Sequence, residues 1–316
     1  MLVGNYGVAN LGDEALRTYF LTHIPEVEWV VLSANPDASS NEYPRLPGGV
    51  RSFFGTQWLT TIRKLRTCDG VVFGGGSLFT DVESVYACFL WWLHAAVARL
   101  LGKPVYLAFQ GMGPYTSRAG EWFARWVVKH AAYISVRDDL SYERIKNWEM
   151  STKIVQTADP VFLLLHKEKF SEVTNNVFTI IPRKNSDSAF RQEAIKLYTE
   201  NNFDCVTICC LHYEDSGEKQ YADDLQNELG SIAHIQSVAT LDELSKIVSE
   251  SKLVLSHRYH GALAAVACGI PVIIMSQGQD DKLASLRKVL ETSLDAREEL
   301  TALAKAGEDS LRQLLI

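Results

Sequence analysis

The run Leu253-Val254-Leu255-Ser256-His257-Arg258-Tyr259-His260-Gly261 leads from an apolar stretch into the alanine-rich Ala262-Leu263-Ala264-Ala265-Val266. It reads as a buried strand that delivers an arginine and a histidine to the start of a helix. A guanidinium offers a fixed fork to a carboxylate or phosphate. An imidazole titrates near neutral pH and can move a proton. A helix N-terminus adds favourable potential for negative charge. Arg258 and His260 are therefore the leading candidates for chemistry on a small phosphorylated anion. His257, one residue off, reads as support.

Other strand ends carry further candidates. Arg137, in Ser135-Val136-Arg137-Asp138-Asp139, stands just past an apolar run and could grip the same kind of anion; the alternative is a helix-start ion pair with Asp138 or Asp139. The N-terminal loop Gly4-Asn5-Tyr6-Gly7-Val8-Ala9-Asn10-Leu11-Gly12-Asp13 lets backbone approach a ligand closely. Asn10 or Asp13 can cap the helix that follows, and the acidic end suits sugar hydroxyls better than phosphate. In Phe73-Gly74-Gly75-Gly76-Ser77-Leu78-Phe79-Thr80-Asp81, three glycines follow a strand, which makes Gly75, Gly76 and Ser77 candidate ligand contacts. The competing explanation is close packing of a helix on the sheet. Gln110-Gly111-Met112-Gly113-Pro114 is a similar strand-end turn. Neither glycine loop is GxGxxG or a phosphate loop ending in Lys-Ser/Thr.

The elements that must hold these residues alternate. Strands are expected at 29–33, 70–73, 105–109, 133–136, 177–181, 205–209, 234–237, 253–256 and 271–275, with Met1-Leu2-Val3 as a short opening strand. Helices are expected at 13–23, 85–101, 120–130, 142–148, 188–201, 221–230, 241–251 and 261–269. Continuous apolar strands alternating with helices predict an α/β fold with parallel sheets. The 316 residues allow two Rossmann-like domains, 1–165 and 166–316, joined through the polar stretch 166–176. Residues 280–316 read as leucine-spaced helices that could pack back on the first domain.

Composition narrows the function. A formal net charge of −7 argues against a nucleic-acid partner. Six cysteines without a CxxC pair predict a reducing compartment, no disulfides and no metal site. The N-terminus opens directly into a glycine loop, so no signal peptide and a cytoplasmic location are expected. Residues 85–101, VYACFLWWLHAAVARLL, are apolar nearly all round but shorter than the roughly 20 residues of a membrane span. A buried helix is the expectation, a surface resting on a membrane the alternative.

In this order and spacing, GNYGVANLGDEAL, GGGSLFTD, LGKPVYLAFQGMGP, SVRDDLS, TADPVF and SHRYHGALAAVACGIPVI resemble the polysaccharide pyruvyl transferase family over nearly the whole chain. The resemblance implies two Rossmann-like domains in a GT-B-like arrangement. It also implies phosphoenolpyruvate as co-substrate with no resident cofactor, and a pair of sugar hydroxyls as acceptor. The product would be a pyruvate ketal on a cell-wall or surface polysaccharide or its lipid-linked precursor. The family's Arg-x-His element and upstream arginine, which handle phosphoenolpyruvate, map onto Arg258, His260 and Arg137, with His260 the candidate catalytic acid for its methylene carbon. Asn10 and Asp13 then fall to the acceptor, and the first domain becomes the acceptor side.

Departures from the family pattern bear mainly on the acceptor. Tyr259 stands where leucine is frequent, MSQGQDDK at 275–282 replaces a Tyr-Asp-Pro-Lys-like loop, and Pro182-Arg183-Lys184 replaces an Arg-Pro start. A lipid-linked acceptor implies work at the inner face of the membrane, with peripheral contact through 85–101 or the aromatic stretch 53–58. Two other readings stay open: a GT-B-type glycosyltransferase using a nucleotide sugar, and a non-catalytic glycan-assembly subunit. The oligomeric state is not legible.

Overall fold

A computed structural model describes residues 1–47, 55–82, 84–149, 152–165, 176–212, 214–276 and 282–316. Most of the stretch 166–176, part of 53–58 and part of the 275–282 departure lie outside the described residues. The chain forms two units, each an α/β layer structure. One comprises Met1–Val8, Leu16–Pro160 and Ala302–Ile316; the other comprises Ala9–Ala15 and Val161–Thr301.

Among the described residues, the first unit holds seven parallel strands: β1 (Leu2–Tyr6), β2 (Val31–Ser33), β3 (Glu42–Pro44), β4 (Val71–Phe79), β5 (Val105–Met112), β6 (Tyr133–Val136) and β7 (Ile154–Gln156). Their order is β3-β2-β1-β4-β5-β6-β7, so the direction of winding reverses between β1 and β4. Helices cover both faces, as buried apolar strands require: α1 (Leu11–His23), α2 (Trp58–Thr67), α3 (Val85–Leu100), α4 (Arg118–His130) and α5 (Asp139–Lys146). Helix α3 begins at Ser84, whose hydroxyl accepts from the Tyr86 N–H, and it buries Cys88, Trp91, His94, Ala95 and Ala98. Among the described residues, no helix is long and apolar enough to cross a membrane.

The glycine-rich stretch after Phe73 is strand rather than loop. Pairing continues through Gly74↔Ala108, Gly76↔Gln110 and Phe79↔Met112. The Gln110 amide donates to the carbonyls of Phe73 (2.9 Å) and Ala108 (3.0 Å), stitching the irregular strands together. Gly75 and Gly76 have φ near +81° and +83°, which side chains disfavour. A Cβ on Gly74 would lie 2.4 Å from the Tyr6 hydroxyl, and one on Gly75 would lie 2.7 Å from Leu16. Close packing accounts for these two glycines. Strand β1 likewise runs through Gly4 to Tyr6 instead of stopping at Val3. Strands β3 and β7, three residues each, are too short to show a period, and α2 is too polar.

The second unit has, among the described residues, five parallel strands: β8 (Val177–Ile181), β9 (Cys205–Cys210), β10 (Ala233–Ser237), β11 (Ser251–Ser256) and β12 (Val272–Ile274), ordered β10-β9-β8-β11-β12. The reversal here falls between β8 and β11. Its helices are α6 (Val161–Leu164), α7 (Ser188–Glu200), α8 (Ser216–Leu229), α9 (Leu241–Ser249), α10 (Tyr259–Cys268) and α11 (Lys282–Thr292). Side chains preceding three of them satisfy orphan backbone donors: Asp187, Asp215 and Thr240 cap α7, α8 and α9. Helix α10 is alanine-rich and nearly all buried, and ends at Gly269 with φ 70°.

The last helix, α12 (Ala296–Leu315), sends its residues from Ala302 onward into the first unit. There the Tyr19 hydroxyl donates to Glu308 (2.7 Å), Arg312 pairs with Glu26 (2.6 Å), and Gly307 lies against Phe109 and Thr157.

Candidate functional site

In an open parallel sheet, ligands favour the carboxyl ends of the two strands where winding reverses. In the second unit those strands are β8 and β11. Ile181 and Ser256 are register partners at their ends. Arg183 and Arg258 each come two residues later, so two guanidinium-bearing residues leave the sheet from equivalent positions on neighbouring strands.

The turn that presents Arg258 is held from several sides. The Ser256 hydroxyl accepts from Arg258 N (3.1 Å) and donates to Arg258 O (2.8 Å). His257 N donates to Ile181 O (2.9 Å), the His257 ring meets the Ser186 hydroxyl through Nδ1 (2.8 Å), and it stacks on Phe190 at 4.4 Å. His257 thus ties the loop after β11 to the loop after β8, the supporting role its position implied. Arg258 then becomes the residue before the first turn of α10.

Glu218 of α8, fully buried, pairs with the Arg258 guanidinium. Its other oxygen accepts from Leu211 N (2.7 Å) and His212 N (3.0 Å) at the end of β9. One carboxylate therefore fixes both the direction of Arg258 and the neighbouring strand end. Burial, and after it the charge of Arg183, bring the Arg258 guanidinium down to about 10, while Asp215 and Asp13 act in the opposite direction. Arg258 still carries its charge at neutral pH.

The segment Ala9–Ala15 belongs to this unit. Leu11 N donates to Leu211 O (3.1 Å). The Asn10 side-chain oxygen accepts from Gly12 N (3.1 Å), which caps α1. Ala9 has φ 56°, uncommon outside glycine. A Cβ on Gly12 would fall 2.0 Å from Nδ1 of His260. The ring of His260 therefore rests on the first turn of α1, and Asp13 is among the charges felt by Arg258.

Of the residues singled out from sequence, Arg258, His260, Asn10 and Asp13 thus gather in the second unit. Arg137, Gly75, Gly76 and Ser77 gather in the first. The Arg137 side chain is fully buried and pairs with Asp159, not with Asp138 or Asp139, and donates to the Ser77 hydroxyl at 3.0 Å. Asp138 instead caps α5 through Ser141 N (2.8 Å). The backbone at Gly111 leaves room for this pair: a Cβ there would lie 2.7 Å from the Ser77 hydroxyl and 3.3 Å from Arg137 Nε.

Three residues of these clusters escaped the sequence reading. Asp159 lies within the quoted TADPVF, and Arg183 within the quoted Pro-Arg-Lys, but neither had a role. Glu218 gave no signal, because a glutamate in the first turn of a polar helix is commonplace. Among the described residues, no group of three or more His, Cys, Asp or Glu side chains is placed to hold a metal ion.

Comparison with known proteins adds to this geometry. The family pattern described as polysaccharide pyruvyl transferase matches residues 10–279. AmsJ of Erwinia amylovora, an amylovoran biosynthesis protein, is 29% identical over 102 residues, covering 32% of this chain and 24% of AmsJ. The match thus spans about a quarter of that relative's length. By structure, Anabaena HepE in complex with UDP-glucose aligns with a TM-score of 0.61 at 9% identity, covering 99% of this chain and 97% of that one. Sucrose-phosphate synthase from Thermosynechococcus elongatus gives 0.60 at 11% identity, with 99% and 98% covered. The Neisseria meningitidis UDP-GlcNAc 2-epimerase gives 0.58 at 11%, with 99% of both. At such identities the likeness concerns fold alone, and the fold is α/β of the GT-B type, with two Rossmann-like units.

Proposed function

The chain belongs to the polysaccharide pyruvyl transferase family, and we propose that it moves the enolpyruvyl group of phosphoenolpyruvate onto a pair of sugar hydroxyls, closing a pyruvate ketal on a surface polysaccharide or its lipid-linked precursor. The observation that carries this reading is the strand-end pair Arg183 and Arg258 at the reversal point of the second sheet, with His260 on the same turn as Arg258. Two adjacent cations repel unless an anion lies between them, and phosphoenolpyruvate brings both a phosphate and a carboxylate.

In the proposed reaction His260, as imidazolium, protonates the methylene carbon, which leaves C2 electrophilic. A first sugar hydroxyl adds to C2 and gives up its proton, restoring the imidazolium. The C2–O bond to phosphate breaks with its electron pair on phosphate, and the second hydroxyl adds to C2 and passes its proton to that phosphate, closing the ketal. General acid catalysis of this kind contributes about 100- to 10,000-fold. Asp13, on the first turn of α1 beneath the His260 ring, is the proposed guide for the acceptor hydroxyls, with Asn10 shaping that turn. Arg137 enters the proposal from the family resemblance alone, with Asp159 fixing the direction of its guanidinium. With a lipid-linked acceptor, the reaction runs at the inner face of the membrane.

A second reading, transfer from a nucleotide sugar, draws on fold neighbours solved with UDP or UDP-sugars. Incubation with phosphoenolpyruvate and candidate glycans separates the two. A ketal-linked pyruvate on the glycan, by mass spectrometry, with equimolar phosphate release, supports the first reading. His260→Ala should then lose about 100-fold or more in turnover while donor binding survives. Near-normal turnover in that variant overturns the assignment of the acid, and sugar transfer from a nucleotide sugar overturns the reaction.

A further inference from the structure

Helices α3 and α4 pack side by side in the first unit and share an aromatic surface. Tyr86, Phe89 and Trp92 come from α3; Trp122, Phe123 and Trp126 come from α4. Their rings form a continuous chain, with Phe89–Phe123 centroids at 5.7 Å, Trp92–Phe123 at 5.3 Å and Trp92–Trp122 at 6.0 Å. The outer members are open to solvent: Trp122 is 53% exposed and Tyr86 49%. Phe89, Trp92, Phe123 and Trp126 are half-buried beneath them, and large aromatics left open at the edge of such a cluster usually have something to meet.

Charge identifies what it meets. Arg118, Trp122, Arg125 and Lys129 follow at spacings of four, three and four, which places them along one face of α4, and all four are exposed. The single carboxylate of this helix, Glu121, is engaged by Arg125 at 3.7 Å and by the Trp148 indole N–H at 3.0 Å. A cationic, tryptophan-bearing face thus sits on a chain whose formal net charge is −7. Tryptophan and tyrosine settle at the headgroup level of a bilayer, and arginine and lysine are drawn to its anionic lipids. A second copy of the chain is a poor occupant, because a two-fold contact would set this cationic face against itself.

We propose that the α3–α4 face docks peripherally on a bilayer surface carrying anionic lipids. Trp122 and Tyr86 enter the headgroup layer, and Arg118, Arg125 and Lys129 hold the lipid phosphates. The assignment does not rest on the proposed reaction.

The test is co-sedimentation of the full chain with phosphatidylcholine vesicles, with and without phosphatidylglycerol, at low and high salt. Binding is expected only with the anionic lipid, and should weaken steeply with salt. The variant carrying Arg118→Gln, Arg125→Gln and Lys129→Gln should bind more than about tenfold more weakly. Trp122→Ser should also weaken binding and reduce the blue shift of tryptophan emission on vesicle addition. All four positions are exposed, and circular dichroism verifies the fold of each variant. Failure of the wild-type chain to sediment with phosphatidylglycerol vesicles overturns the proposal, as does equal binding by the variants. A wild-type dimer in solution that Trp122→Ser dissolves overturns it too, by assigning the face to a second copy.

Discussion

Gly12 lies directly beneath the imidazole of His260, so close that a methyl group at position 12 would sit 2.0 Å from Nδ1 and 2.2 Å from Cε1. The ring's position is therefore set by the absence of a side chain on α1. Gly12→Ala has two opposed effects. A helix gains about 1 kcal/mol when alanine replaces glycine, while the ring must move. Turnover should fall by about tenfold or more, with a thermal midpoint that holds or rises. Unchanged turnover in this variant would show that the proposed chemistry does not depend on where the ring rests.

Glu218 has two separable tasks. Glu218→Gln keeps an oxygen for the N–H groups of Leu211 and His212 but turns an amide N–H₂ toward Arg258. The donor KM should rise by about tenfold, with a smaller change in kcat. Glu218→Ala loses both tasks and leaves a buried cation unpaired, at a cost of about 3 kcal/mol read from urea unfolding. Equal effects of the two variants on stability and on KM would mean that Glu218 serves the fold alone.

Arg258 feels the like charge of Arg183 even with Glu218 beside it, a repulsion that the proposed donor anion would relieve. Arg183→Gln should leave the ligand-free protein at least as stable as the wild type, while the stabilisation by phosphoenolpyruvate shrinks. In the wild type that stabilisation approaches about 2.7 kcal/mol at 100 times Kd. Thermal shifts with and without phosphoenolpyruvate read both quantities. A variant that keeps the full ligand-induced shift excludes Arg183 from the anion site.

His94 predicts an acid limit to stability. Its Nε2 accepts from Leu46 N (3.0 Å) and its Nδ1 faces Leu90 O (2.7 Å), so the buried ring is held neutral. Burial pushes it down to about 4 from an ordinary 6.5, with the Leu90 hydrogen bond acting the other way. A base whose folded value is depressed gains its proton on unfolding. Stability therefore falls as pH drops below about 6.5 and levels off below about 4. Between pH 7 and pH 5 this single group should remove about 2 kcal/mol. His94→Leu should abolish that part of the slope in urea midpoints.

Parallel strands announce themselves as apolar runs, and Tyr133–Val136 and Val177–Ile181 fall where composition places them. The arginine and histidine after β11 were legible for the same reason, because a buried strand must end by turning something polar toward solvent. What stayed hidden depends on partners far apart in the chain. The stretch Gly74-Gly75-Gly76 looks the same whether it faces a ligand or Tyr6 and Leu16, and only the fold distinguishes them. Glu218 becomes noticeable only once β9 and β11 are known to flank β8. Arg137 offered a grip for an anion or an ion pair with its neighbours Asp138 and Asp139; that the sheet carries Asp159 to it is invisible in the local sequence.

The contacts of Ala302–Ile316 carry a consequence for synthesis. The hydroxyl of Tyr19, on α1, is buried against Glu308, and Arg312 reaches back to Glu26. The first unit therefore remains incomplete while the whole of Val161–Thr301 is translated. At about 5–20 residues per second that wait is on the order of ten seconds. During it the surface of Phe109 and Thr157 that Gly307 will cover stands open, and the nascent chain is a natural client for chaperones that shield apolar surface.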